Sequence, residues 1–184
     1  AAIDLAREFR LRLVILGGAE AWKVAPELAA AKVAVIVQPS RNLPGSFDSL
    51  GARLDAAALL AAAGVPVAIA CLDDAHNVRN VVQEAGIAVA NGLPWETALR
   101  AITLEPARAY GMDASHGSVA VGKVANLVLW DGDPLELSSR PVQVYVRGRA
   151  IPMVSRQTLL RDRYRDLSAF RPAGAAAPRT APQK

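Results

Sequence analysis

Cysteine is almost missing from this chain: Cys71 stands alone in 184 residues. One thiol excludes an internal disulfide and a zinc site built on several cysteines. It fits a reducing compartment, so the cytoplasm is the expected location. Aromatic residues are scarce too, at 5%, which argues against an aromatic-rich all-β core. No stretch reaches the roughly 18–20 uninterrupted apolar residues of a membrane-spanning helix, so no membrane partner is expected. The opening Ala1-Ala2-Ile3-Asp4 lacks the positive-then-apolar layout of a signal peptide. It also lacks an initiator Met, which points to a chain that is processed, trimmed or incomplete. A basic stripe interleaved with aromatics is absent as well. The net charge is +4, but Arg156, Arg161, Arg163, Arg165, Arg171, Arg179 and Lys184 all lie in the last 29 residues. The positive balance belongs largely to a C-terminal appendage, and nucleic-acid binding is not expected.

What the chain does have is small aliphatic residues. Hydrophobic residues make up 52% and charged ones 21%, the balance of a folded protein with one sizeable domain and a smaller annex. Three apolar runs share one grammar: Leu11–Leu16, Val33–Gln38 and Val65–Ala70. Each is rich in Val, Ile or Ala with little polar alternation, the signature of strands buried on both faces of a parallel sheet. Alanine-rich stretches at Glu20–Ala31 and Arg53–Ala63 separate them and read as helices, the second closed by Gly64. Successive runs begin 22 and 32 residues apart, a normal βαβ length. Asp4–Phe9 reads as the end of an earlier helix.

After the third run the pattern turns helical: Val78–Asn91, then a helix opened by Pro94 and running to about Leu104, then Glu105–Tyr110. From Gly117 short β segments follow at Leu127–Trp130, Val142–Arg147 and Arg149–Pro152. Three strands that all read as buried make a small sheet, so the pattern predicts part of a larger α/β array.

One long spaced motif carries a resemblance. ALRAITLEPARAYGMD (98–113), GSVAVGKVANLVLWDGDPLE (117–136) and VQVYVRGRAI (142–151) together resemble the C-terminal end of the amidohydrolase superfamily, closest to its imidazolonepropionase-like members. Glu105 stands where that family often has Asn, and Asn126 where it often has Asp. The resemblance implies an α/β fold: the C-terminal part of a (β/α)8 TIM-type barrel, strands 6–8 with their helices, plus part of a small composite β domain. Residues 1–113 would then be partial barrel and 114–154 part of the β domain; beyond them the charged stretch 155–171 reads as a C-terminal helix, and the Pro- and Ala-rich composition of 172–184 as a disordered tail. The barrel's first five strands have no counterpart here.

The resemblance also implies chemistry. Family members use one or two divalent metals, zinc above all, to activate water against a C–N bond. Their ligands are a His-x-His after the first strand, Lys or Glu after the fourth, His after the fifth and sixth, and an Asp after the eighth that binds metal or acts as general base. In this chain the sixth position falls near Gly17-Gly18, without histidine. The glycine pair reads as a tight strand-to-helix turn, the alternative being a backbone anion cradle, and Glu20 as a first-turn acid rather than a ligand.

The eighth position reads Cys71-Leu72-Asp73-Asp74-Ala75-His76-Asn77. The commonest family spacing lands on Leu72, and a shift of one or two residues brings in Asp73 or Asp74. Asp74 is the first choice as metal ligand or general base and Asp73 the second, while either could simply cap the following helix. His76 and Asn77 are the candidate substrate contacts. His116 is expected to be structural, Cys71 a buried small residue, and Trp22, Trp95 and Trp130 packing residues. Asp131-Gly132-Asp133-Pro134 lacks the later carboxylates of a calcium loop and reads as a turn. The expected activity is hydrolysis of a C–N bond of the cyclic-amide type, absent from this chain alone. The alternative is a non-catalytic module with the same fold and a decayed metal site. Expected partners are a small-molecule substrate and the missing barrel segment or a partner chain, with self-association into a homo-oligomer left open.

Overall fold

A computed structural model describes residues 1–72 and 75–165. The described residues divide into two units, 1–150 and 151–165.

The first unit opens with helix α1 (Ala2–Glu8), which leads into strand β1 (Val14–Leu16). A 3-10 turn (Ala21–Val24) and helix α2 (Ala25–Ala30) carry the chain to β2 (Ala34–Val37). Two further 3-10 turns (Pro39–Arg41 and Phe47–Ser49) precede α3 (Ala56–Ala62) and β3 (Val67–Ile69). The three strands pair in parallel in the order β1-β2-β3. Val14 stands opposite Ala34, Val35 opposite Val67 and Val37 opposite Ile69.

The expected strands are present but shorter, and only two are fully sheltered. β2 and β3 are buried almost throughout, whereas in β1 Val14 and Ile15 are half-buried and Leu16 is 66% exposed. The difference is positional. β3 is an edge strand covered by α4, α5 and α6, while the outer edge of β1 has no neighbouring strand among the described residues. The stretch expected to be one helix from Glu20 is instead a 3-10 turn followed by α2. Pro26 in the first turn of α2 lacks the N–H that would extend an α-helical ladder backward. α3 ends as expected, with Gly64 at φ +82° and the Val65 N–H bonded to the Leu60 carbonyl at 3.0 Å.

Past β3 a 3-10 turn (Ala75–Asn80) feeds α4 (Val81–Ala90), followed by α5 (Trp95–Ala101) and α6 (Leu104–Ala109). Pro94 is the residue before α5 rather than its first, and α5 stops at Ala101 instead of running on. The core joins the sheet to these helices through Leu28, Val35, Val37, Leu60, Ile69, Leu93, Ala98 and Ala101. Each fully buried Leu, Val or Ile among them stabilises the fold by about 1.5–3 kcal/mol. A second sheet holds β4 (Leu127–Trp130), β5 (Pro141–Val146) and β6 (Arg149–Ile151). β4 and β5 are antiparallel, Leu127 opposite Tyr145, with an irregularity between Leu129 and Trp130.

The second unit contains helix α7 (Arg156–Arg165) among the described residues. Ser155 caps it, its Oγ accepting the Thr158 N–H at 3.2 Å while Thr158 Oγ1 accepts the Ser155 N–H at 2.8 Å. The expected tail at 172–184 lies outside the described residues. No helix among those described is long and apolar enough to cross a membrane.

Candidate functional site

Parallel strands deliver their loops to one end of the sheet, and ligands of α/β sheets sit outside those carboxyl ends. Three loops meet there in this chain.

The loop after β1 contains Gly17 and Gly18, at φ +90° and +45°. The Gly17 N–H is already bonded to the Ile36 carbonyl at 2.9 Å, so it is tied into the sheet rather than offered to an anion. A Cβ on Gly18 would lie 3.1 Å from both Ala21 Cβ and Val35 Cγ1. The pair is a tight turn. Glu20, two residues on, accepts hydrogen bonds from Lys23 Nζ and the Gly51 N–H. Lys23 first, and the Gly51 N–H second, hold its carboxyl below the ordinary range.

The loop after β2 begins Gln38-Pro39-Ser40-Arg41-Asn42. Pro39 fixes φ at the start of a 3-10 turn. Asn42 is buried and ties the loop down by donating from Nδ2 to the Arg53 carbonyl at 2.7 Å. Gln38 and Ser40 both reach Glu84 on α4. Gln38 Nε2 donates to Glu84 Oε1 at 3.0 Å, Ser40 Oγ to the same oxygen at 2.6 Å, and the Ser40 N–H to Oε2 at 2.9 Å. The Leu72 N–H in turn donates to Gln38 Oε1 at 2.8 Å.

The loop after β3 starts Ala70-Cys71-Leu72. Burial pushes the Cys71 thiol up, and the charge of Glu84 pushes it further in the same direction. Asp73 and Asp74 lie outside the described residues. His76 is exposed and Asn77 half-buried, both in the 3-10 turn before α4.

A cavity of about 200 Å³ lies at these strand ends, lined by Gly17, Ala19, Gln38, Arg41, Asn42 and Leu72. His76 and Asn77 are not among its lining residues. A larger cavity of about 330 Å³, with Arg12, Lys32, Glu105 and Arg108 in its walls, sits at the opposite, N-terminal ends of the strands. That is the end of such sheets where stability, not chemistry, is built, so the smaller cavity is the better candidate.

The remaining sequence candidates have local partners. His116 Nδ1 pairs with Ser115 Oγ at 2.8 Å and its carbonyl accepts from Lys123. Asp131 accepts the Arg140 N–H, and Asp133 accepts both the Leu135 N–H and the indole N–H of Trp95. These carboxylates build turns. Among the described residues no three His, Cys, Asp or Glu side chains are placed to hold a metal ion.

The Gln38–Ser40–Glu84 cluster is absent from the sequence reading, where Gln38 is only the last residue of an apolar run. The available signal is Glu84 itself. It shares a helical face with Ala85 and Ala88, both buried, and a carboxylate on such a face must find donors.

The Amidohydrolase family model matches residues 7–157. Imidazolonepropionase from Verminephrobacter eiseniae is 33% identical over 146 residues, which cover 76% of this chain and 29% of that protein. An amidohydrolase of Thermotoga maritima superposes with a TM-score of 0.75 at 31% identity, over 82% of this chain and 39% of its own. An adenosine deaminase from Xanthomonas campestris, solved with bound zinc, gives a TM-score of 0.58 at 25% identity, over 88% of this chain and 45% of its own. The chain therefore spans less than half the length of each of these relatives.

Proposed function

The chain belongs to the amidohydrolase family, and from that premise we propose that it is the C-terminal part of a hydrolase cleaving a C–N bond of the cyclic-amide type. On this reading β1, β2 and β3 are strands 6–8 of a (β/α)8 barrel, and β4–β6 are part of a small composite β domain. The uncovered edge of β1, with Leu16 facing out, supports the first half of that assignment.

The observation that carries the reading is the place of Leu72. It lines the cavity at the strand ends, and the sequence runs from it directly into Asp73-Asp74. A carboxylate following the last barrel strand suits a group that takes a proton from attacking water. Asp74 is the residue proposed for that role, Asp73 its alternative, and His76 and Asn77 are the proposed substrate contacts from the same loop.

Divalent metal, when bound in this family, supplies the activated water, and zinc is the proposed ion from the Xanthomonas campestris neighbour. The described residues do not fit such an ion by themselves. In the loop after β1 the one carboxylate, Glu20, is already held by Lys23 and the Gly51 N–H, and the β2 loop presents two amides, a hydroxyl and a guanidinium. Gln38 Oε1 and both Glu84 oxygens already accept hydrogen bonds. Asp74 is the one ligand proposed from this chain; the others would come from the remaining barrel strands, on the same polypeptide or a partner chain, and this chain alone is expected to turn over no substrate.

One observation favours a second reading. Gly17-Gly18 stands where the family commonly places a histidine ligand, which suits a non-catalytic module that keeps the fold. An assay separates the two. The chain is co-expressed with the N-terminal portion of the Thermotoga maritima amidohydrolase and offered a panel of five- and six-membered cyclic amides with added zinc. Ring opening by the assembled pair, and by neither part alone, supports the hydrolase. An assembled pair that opens no ring favours the module.

A further inference from the structure

Glu84 is 6% exposed and Gln38 8%, so their contact is shielded from water. A carboxylate only accepts hydrogen bonds, whereas a side-chain amide has one donating and one accepting end. Glu84 therefore dictates which way Gln38 faces: its NH2 toward Glu84 Oε1, its Oε1 toward the Leu72 N–H. Turning the amide round would set oxygen against oxygen at one end and N–H against N–H at the other. Polarity is passed in this way from α4, through the loop after β2, to the backbone after β3. Ser40, bonded to Glu84 through both its N–H and its Oγ, anchors the same loop. Gln38 and Leu72 are both walls of the cavity at the strand ends. Glu84 does not line it, so its influence there is indirect.

We propose that Glu84 is a positioning residue of the cavity at the strand ends, orienting the Gln38 amide and through it fixing the backbone at Leu72. For catalysis the proposal rests on the hydrolytic reading above; for the geometry it stands alone.

The pair also supplies its own control. In Glu84→Gln the amide keeps its oxygen on the backbone N–H of Ser40 and its NH2 replaces Oε1, where the Ser40 hydroxyl can turn to accept; Gln38 then meets N–H, turns its oxygen toward position 84, and Leu72 loses its acceptor. In the double variant Glu84→Gln with Gln38→Glu the polarity runs through again. Glu at 38 accepts from the Leu72 N–H and from the amide at 84, whose oxygen accepts the Ser40 N–H. Native-state hydrogen exchange at the Leu72 amide reads this directly in the chain as it stands, with thermal melting to confirm that each variant is folded. Loss of one buried hydrogen bond predicts roughly tenfold faster exchange in Glu84→Gln, and wild-type protection in the double variant.

In the pair with the Thermotoga maritima segment, Glu84→Gln is expected to lower kcat at least several-fold with KM little changed, and the double variant to recover it. Unchanged exchange in folded Glu84→Gln overturns the proposal. So does a folded double variant that stays unprotected, or an active pair whose kcat ignores Glu84→Gln. A wild-type pair that opens no ring overturns the hydrolytic reading instead, and the Leu72 exchange then decides the proposal.

Discussion

Glycine at position 18 is required by its own backbone. At φ +45° a side chain costs about 1–2 kcal/mol, and an added Cβ would also press on Ala21, Val35 and Ile15. Gly18→Ala should lower the free energy of unfolding by about 2 kcal/mol, measured by urea denaturation. Glu20 makes a pH-dependent contribution. Its folded-state carboxyl titrates below the usual 4.5, so the stabilisation is full above that value and fades as pH falls through the lower, folded one. The denaturation midpoints of wild type and Glu20→Gln should differ near neutrality and converge in acid. A gap that widens toward low pH would contradict the sign. The glycine turn was legible in the sequence because Gly-Gly after an apolar run has few other uses. The Gln38–Glu84 pair was not, since 46 residues separate the two and only the crossover through β3 brings them together.

Elements formed where local and long-range preferences agreed. β4 is where its apolar run placed it, and α3 closes at Gly64 because a positive φ suits glycine. They diverged where proline intervened. Pro26 splits the expected first helix into a 3-10 turn and α2, and Pro94 stands before α5 instead of within it. Burial on both faces holds for β2 and β3 but not for β1, since an apolar run records the environment a strand is suited to, not the neighbours present. α4 carries a testable close approach. A Cβ on Gly86 would lie 2.6 Å from the Leu135 carbonyl oxygen, a backbone atom with little room to move. Alanine ordinarily improves a helix by about 1 kcal/mol over glycine, but overpacking against backbone costs about 1–3 kcal/mol. Gly86→Ala is therefore expected to lower the melting temperature, and a rise would contradict the contact.

On the scale of the whole chain, exposed apolar surface is the main physical fact. Leu16 in β1 and Leu11 just before it are exposed, as are Val128, Val142 and Val146 on the second sheet. An open strand edge with apolar neighbours pairs with whatever strand is offered. Light scattering on the isolated chain is expected to show self-association or aggregation, relieved by co-expression with the N-terminal portion of the Thermotoga maritima amidohydrolase. A monodisperse, stable monomer would contradict this. The family and the parallel sheet could be read from the sequence because spaced motifs and apolar runs are local. The contents of the site could not, because groups at the ends of parallel strands are gathered from loops far apart in the chain. The proposed hydrolysis depends on one carboxylate, that of Asp74. Ring-opening rates of the chain paired with the Thermotoga maritima segment, with zinc content measured on the same samples, test it most directly. Asp74→Ala is expected to cut the rate by roughly 10²-fold or more and to lower bound zinc, with Asp73→Ala the milder change; equal rates and equal zinc in all three would contradict it.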